Sequence, residues 1–422
     1  MTGPCGILPA LRFFEAVRAP AIFYLFSRPP LTAPVVPFPR LPVAGWDCFF
    51  KPQPSPVPEV TSLPHCLFTT SGRAAIGLAL AELGIGDGDT VLVPSYHCPT
   101  MVSPIVAAGA SPVFFPIDDR GLPIVDEIRQ MNLGAVKAML AAHYFGIPRS
   151  LSEVRQFCDE RGIALIEDCA HSFFGNADGR PVGAWGDFAI ASLTKFFPVP
   201  EGGCLISSTR HLTKSRLAKR GWLSALRQTM DTLEVGVDHG GFAPLGPLLN
   251  LPFVARDLLR GRRPVSTASL REVAAPAPES ATPAFDARLA GQRPAAVARF
   301  IVQRANRRRI VETRRRNFHL LAERLAGADG LSVLTDSLPG SAVPYVFPIW
   351  VDDPDRSYHV LRGKGVPIFR WDILWPGVPS LPRDIGLKWS RHVFQLGCHQ
   401  DLSEADIASI ALMVRNAVGS RP

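Results

Sequence analysis

The sequence predicts an α/β fold: a mostly parallel sheet with helices on both faces, followed by a smaller C-terminal α/β domain. Three observations lead there. Short apolar runs of strand length alternate with helical stretches between residues 66 and 207, the pattern of a sheet covered on both sides. A less regular, Gly-, Pro- and Ala-rich region then interrupts the alternation. Order returns with a long helical stretch, two further strand-like runs and a terminal helix.

Taken in order, residues 1–60 are Pro-rich and aromatic, with one helical stretch near Leu8 to Val17. They read as an arm packed over a larger body, because Trp46, Phe49 and Phe50 are poor residues to leave in water. Residues 61–240 form the main domain. Its strand candidates are Cys66–Thr70, Thr90–Pro94, Pro112–Pro116, Ala135–His143, Ala164–Glu167, Phe188–Thr194 and Cys204–Ser207. Helices are expected at Gly72–Leu83, at Thr100–Ala108 and at Ser150–Arg161, the last behind a Ser150-Leu-Ser-Glu153 capping box. Residues 241–291 read as an irregular insertion with helical pieces and a mobile stretch near 265–284. Residues 292–422 form the smaller domain: a long helix over about 295–325, strands at Val343–Val351 and Pro367–Trp371, and a final helix capped at Ser403.

Composition narrows the class. The 422 residues are 47% hydrophobic and 19% charged, so the body is globular. The net charge of +8 concentrates between Arg304 and Arg316, where arginines alternate with Ile310 and Val311. That spacing predicts the wet side of an amphipathic helix, not a nucleic-acid site, and no zinc-finger, RNA-binding or dinucleotide fingerprint accompanies it. The eight cysteines form no CxxC pair, which points to reduced thiols and to no metal site. The aromatic run Ala19–Ser27 is too short to span a bilayer, so a cytoplasmic protein without a transmembrane segment is expected.

The chemistry is concentrated at two strand ends. Ile163-Ala-Leu-Ile166 leads into Glu167-Asp168-Cys169-Ala170-His171, and Phe188–Thr194 leads into Lys195 ahead of Glu201-Gly202-Gly203. In a parallel sheet both ends reach the ligand-bearing edge. A lysine able to condense with an aldehyde, paired with a carboxylate able to keep a ring nitrogen protonated, is what pyridoxal 5'-phosphate chemistry requires. Gly72 and Arg73 open a helix, where unpaired N–H groups and the helix dipole favour a phosphate. An ordinary Ser71-capped helix is the plainer reading of the same residues.

Together these segments resemble the DegT/DnrJ/StrS family of fold-type I, pyridoxal phosphate-dependent sugar aminotransferases. The residues that carry the resemblance are Ser71-Gly-Arg-Ala-Ala75, the turn and strand Leu83–Ser95, Glu167–His171, Lys195–Gly203 and the tail Gln395–Glu404. The resemblance implies catalytic roles for Lys195 and Asp168. It also implies cofactor contacts from Gly72, Arg73, His171 and Ser192, with Thr194 as a substitute for Ser192. Two residues fewer than in the family separate Ser192 from Lys195. Cys98 falls where the family has a ring over the cofactor, so His97, or alternatively Tyr96, is expected to supply that face. Arg293, with Arg288 as rival, takes the place of a family arginine that reaches a partner's phosphate, but the family's Asn is missing. Arg370 is a candidate for a substrate carboxylate or phosphate.

The implied reaction moves an amino group, from a donor such as glutamate, to a keto sugar carried on a nucleotide, in a homodimer serving polysaccharide or secondary-metabolite synthesis. Lys195, where a dehydratase branch has His, favours transamination. A pyridoxal enzyme acting on a non-sugar amino acid or thiol, and a non-catalytic scaffold or regulator, are the alternatives.

Overall fold

The computed structural model describes residues 38–213, 216–259 and 285–419. The expected helix at Leu8–Val17, the run Ala19–Ser27 and the stretch 265–284 lie outside the described residues.

Seven strands form the main sheet: β1 (His65–Thr69), β2 (Thr90–Pro94), β3 (Ser111–Phe115), β4 (Val136–Ala142), β5 (Ala164–Asp168), β8 (Phe188–Ser192) and β9 (Gly203–Ser207). β6 (Asn176–Ala177) and β7 (Arg180–Pro181) pair as a separate small hairpin. The order across the main sheet is β1-β9-β8-β5-β4-β2-β3. Only β9 runs against the rest: it is antiparallel to both β1 and β8, whereas the pairs from β8 to β3 are parallel. Burial on both faces explains the near-continuous apolar strands. Leu92, Met139 and Leu165 enter one core, while Val91, Leu140 and Ile166 enter the other.

Helix α1 spans Gly72–Leu83, as the spacing predicts, with the Ser71 hydroxyl accepting from the Ala74 amide and Gly84 closing it in the left-handed conformation. α2 spans Pro99–Ala107. α4 (Ser152–Arg161, after the short α3 at Val125–Arg129) begins later than the predicted box: Leu151 is its N-cap, and Ser150 instead bonds the amide and hydroxyl of Ser152. Among the described residues, the Gly- and Pro-rich region contains α5 (Trp222–Asp238), α6 (Gly246–Leu259) and the short helix Ala287–Ala290.

A second sheet, β10 (Leu331–Val333), β11 (Val346–Val351), β12 (Ile368–Phe369) and β13 (Val393–Gly397), is antiparallel throughout, in the order β10-β11-β13-β12. Its core takes Phe318, Leu321 and Leu325 from the helix Arg307–Leu325 and Ile407, Ile410 and Val414 from the helix Glu404–Val418. Ser403 and Asp406 close the expected cap of that last helix as a full capping box.

Three expectations are corrected here. The single helix over 295–325 is two, Ala296–Arg304 and Arg307–Leu325. Ala305 takes an extended conformation, and Asn306 caps the second helix through the Arg309 amide. The arginines of that region are not a uniformly wet face: Arg308 is exposed beside Glu312, but Arg307 pairs with Glu59, Arg309 bridges Asp47 and Asp401, and Arg314 is fully buried. Finally, Trp46, Phe49 and Phe50 stay exposed, at 37%, 52% and 65%. The arm nonetheless attaches in part through Trp46, whose Nε1 donates to the Ala243 carbonyl at 2.7 Å and whose ring meets Phe242 edge-on at 5.5 Å. In addition, Phe38 and Cys48 are buried, Val43 donates to Asp401, and Val60 donates to the Phe173 carbonyl.

Candidate active site

The carboxyl ends of β1, β2, β4, β5 and β8 share one edge of the sheet, because these strands run the same way. Asp168 is the last residue of β5 and lies opposite Ile190 of β8. β8 ends at Ser192, two residues short of the predicted Thr194, and passes directly into a 3-10 turn, Leu193–Lys195. The Leu193 amide donates to Gly202, and the amides of Phe196 and Phe197 donate back to Leu193. The turn thus seats Leu193, two residues before the lysine, beside the start of β9.

Asp168 is 5% exposed, and one of its oxygens accepts from the Ala170 amide at 2.7 Å. Burial raises its pKa, against the opposing pull of Lys195. Burial in turn lowers the Lys195 amine to about 8, with Asp168 acting the other way. Each charge therefore feels the other. The Lys195 Nζ lies 5.2 Å from the Tyr345 ring centroid and 6.0 Å from that of Trp371.

His171 stands against the same two rings, 4.6 Å from Tyr345 and 4.8 Å from Trp371. Its Nδ1 accepts from the Phe145 amide at 3.3 Å, which leaves the ring proton on Nε2. Burial, reinforced by the Lys195 charge, holds this imidazole neutral.

Gly72 opens α1 directly beside the end of β8. A methyl group built on Gly72 would touch the Ser192 Cβ at 3.6 Å, and one on Gly203 would strike the Ser71 and Gly72 backbone at 2.3–2.5 Å. The helix start is thus seated on two strand ends, with the Ser192 and Thr194 hydroxyls 3.3 Å apart beside it. Arg73 is half-buried, and burial lowers its pKa while the neighbouring Cys98 acts in the other direction.

Of the remaining predicted residues, Tyr96 shares the Trp371 ring with Lys195 and His171, while His97, Arg293, Arg288 and Arg370 have other partners. The buried His97 ring stacks on Phe114 at 5.1 Å, its Nδ1 bonds the Pro94 carbonyl, and its Nε2 accepts from the Trp375 amide. Tyr96 is buried and packs against Trp371 at 5.1 Å, with its hydroxyl accepting from Gln395. Arg293 lines a recess of about 280 Å³ with Cys66, Phe68 and Arg299, and its amide bonds Ala218. Arg288 lies in the short helix Ala287–Ala290. Arg370 pairs with Asp355 at 2.7 Å.

Behind Asp168, Glu167 is fully buried and accepts from His143 Nε2, from the amides of Gly183, Trp185 and Gly186, and from the Cys169 thiol. The group His143, Glu167 and Cys169 has metal-ligand residue types, but here the carboxylate's acceptor sites are already occupied by protein donors. The seven described cysteines are all free.

The rings of Trp371 and Tyr345 and the buried Arg314 were not singled out from sequence. Arg314 had a readable signal: it falls on the apolar stripe Ile310, Phe318, Leu321 and Leu325, where a solvated arginine does not belong.

Residues 57–228 match the model of the DegT/DnrJ/EryC1/StrS aminotransferase family. Over that segment the chain is similar to this family. It is 34% identical over 154 residues to a GDP-perosamine synthase from Vibrio cholerae, covering 36% of this chain and 42% of that protein. It is also 34% identical over 160 residues to a dTDP-4-dehydro-2,3,6-trideoxy-D-glucose 4-aminotransferase from Saccharopolyspora spinosa, covering 37% and 42%. The chain thus spans under half the length of these curated relatives. Solved structures extend the likeness of fold. The aminotransferase TlmJ from Streptoalloteichus hindustanus superposes with a TM-score of 0.56 at 22% identity, over 84% of this chain and 85% of that one. DesV from S. venezuelae gives 0.58 at 19%, over 86% and 90%.

Proposed function

We propose that the chain is a pyridoxal 5'-phosphate-dependent aminotransferase that moves an amino group, from a donor such as glutamate, to a nucleotide-linked keto sugar. The observation that carries this reading is the pairing of buried Asp168 with half-buried Lys195, at the end of β5 and just past the end of the adjacent parallel strand β8, beside the start of α1.

The donor set fits the cofactor. Asp168 offers a buried carboxylate to a ring nitrogen, Lys195 an amine to an aldehyde, and the α1 start at Gly72 and Arg73 with Ser192 a seat for a phosphate. Bound there, the cofactor would supply an electron sink for a carbanion.

The residues' own parts follow from their surroundings. With a pKa of about 8, the Lys195 Nζ can hold or release a proton near neutral pH. Asp168 would keep the cationic ring nitrogen of a bound cofactor charged. His171, protonated on Nε2, would offer that proton to the cofactor's phenolic oxygen. The Tyr345 and Trp371 rings stand beside the amine, at 5.2 and 6.0 Å. Sequence similarity to nucleotide-sugar enzymes supports the substrate class.

A cytoplasmic homodimer completes the proposal. No described helix is long and apolar enough to cross a membrane. The exposed Trp222, Leu223 and Leu226 on α5 supply apolar surface for a subunit contact.

The test is incubation of the purified protein with pyridoxal phosphate, glutamate and a panel of nucleotide-linked keto sugars, followed by mass spectrometry. An amino sugar formed together with 2-oxoglutarate supports the reading. Products from amino acids or thiols alone, or no transfer at all, would replace it with one of the two alternatives.

A further inference from the structure

Lys195 lies in a short turn, not in a strand, so the sheet does not by itself fix its main chain. A side chain from another part of the fold does. Arg314, in the helix Arg307–Leu325 that packs on the second sheet, is fully buried, and its Nη2 donates to the Lys195 carbonyl at 2.7 Å. Its Nη1 donates to the carbonyls of Pro344 and Tyr345 at 3.0 and 3.2 Å, and its Nε to the Gln400 side-chain oxygen at 2.9 Å. The same Gln400 donates from Nε2 to the Phe196 carbonyl at 3.0 Å, and the guanidinium carbon lies 4.6 Å over the Phe196 ring.

None of these four acceptors is a carboxylate. Burying a guanidinium against neutral oxygens is costly, and burial lowers its pKa to about 10. An apolar side chain would suit this helix stripe better if packing were the only requirement. What an apolar group cannot do is hold Lys195 and Tyr345 in one rigid plane of donors, and Tyr345 is the ring 5.2 Å from the lysine amine.

We propose that Arg314, supported by Gln400, is a positioning residue that fixes Lys195 against the Tyr345 wall, so that the second sheet's body sets the reactivity of the lysine. This rests on the reading of Lys195 as the reactive amine, but its test does not depend on transfer activity. When the clamp is loosened, the amine moves toward water and its protonated form gains.

The test is trace acetylation of the full chain, first freed of any bound carbonyl compound by hydroxylamine. Lys195 labelling is followed against pH by mass spectrometry, with Lys388 as internal reference. In Arg314→Lys and Arg314→Met the labelling midpoint should rise by about one pH unit, leaving roughly tenfold less reactive amine at pH 7. Gln400→Met should shift it the same way by less, and Arg308→Ala not at all. Circular dichroism establishes which variants fold; should neither Arg314 variant fold, Gln400→Met decides. An unchanged midpoint in the folded variants would overturn the proposal. Failure of the aminotransferase reading would show separately, as a wild-type chain that takes up no pyridoxal phosphate at Lys195.

Discussion

Asp168 and Lys195 oppose the discharge that burial imposes on both: the carboxylate raises the pKa of the amine, and the amine lowers that of the carboxylate. Replacing Asp168 with Asn removes one half of this. The Lys195 midpoint should then fall further below its value of about 8. Amine transfer should drop by about 10²–10⁴-fold, because no anion remains to hold a cationic ring nitrogen. Single-turnover rates and the lysine titration check the two effects independently.

Glu167 supports Asp168 from behind. Glu167→Gln would bring an NH2 group against donors that all point at the carboxylate, and should cost about 3 kcal/mol in a urea melt. The sign with pH is also fixed. Burial pushes this carboxyl up, but His143 and the Gly183 and Trp185 amides outweigh it, so its folded pKa lies below the ordinary 4.5. Its contribution is present above pH 4.5 and lost as pH falls through the folded value.

His97 makes the fold acid-sensitive at higher pH. Burial lowers its pKa from 6.5 to about 4, so stability is retained above pH 6.5 and lost between there and pH 4, by about 3 kcal/mol in total. His97→Gln should flatten that part of the stability profile. Equal slopes for the two proteins between pH 6.5 and 4 would contradict the assignment.

Gly203→Ala should damage the cofactor seat. The added methyl meets the Ser71 and Gly72 backbone at 2.3–2.5 Å, so the start of α1 must move, at a cost of about 1–3 kcal/mol. Pyridoxal phosphate titration should show weaker uptake, alongside a lower Tm.

The strands and the Asp168 and Lys195 ends were legible because burial on both sheet faces leaves apolar runs, and polar residues stand out where those runs stop. α1 was legible through the Ser71 cap and Gly84. The break at Ala305 was not, since Ala and Asn306 both tolerate a helix interior and only the backbone conformation separates the two helices. Arg314 reads as solvated when it is grouped with the other arginines of 304–316, although it falls on the apolar stripe of Ile310 and Phe318. Its four acceptors come from residues 195, 344, 345 and 400, a convergence that spacing along the chain does not encode. The rings of Trp371 and Tyr345 reach Lys195 for the same reason: they belong to distant segments brought over the sheet edge.

The central claim is tested most directly by adding pyridoxal phosphate to the full chain, reducing with borohydride and mapping the modified peptide. The account predicts one pyridoxyl group on Lys195 in the wild type and none there in Lys195→Ala. A wild-type chain that carries the label on another lysine, or none, would contradict it.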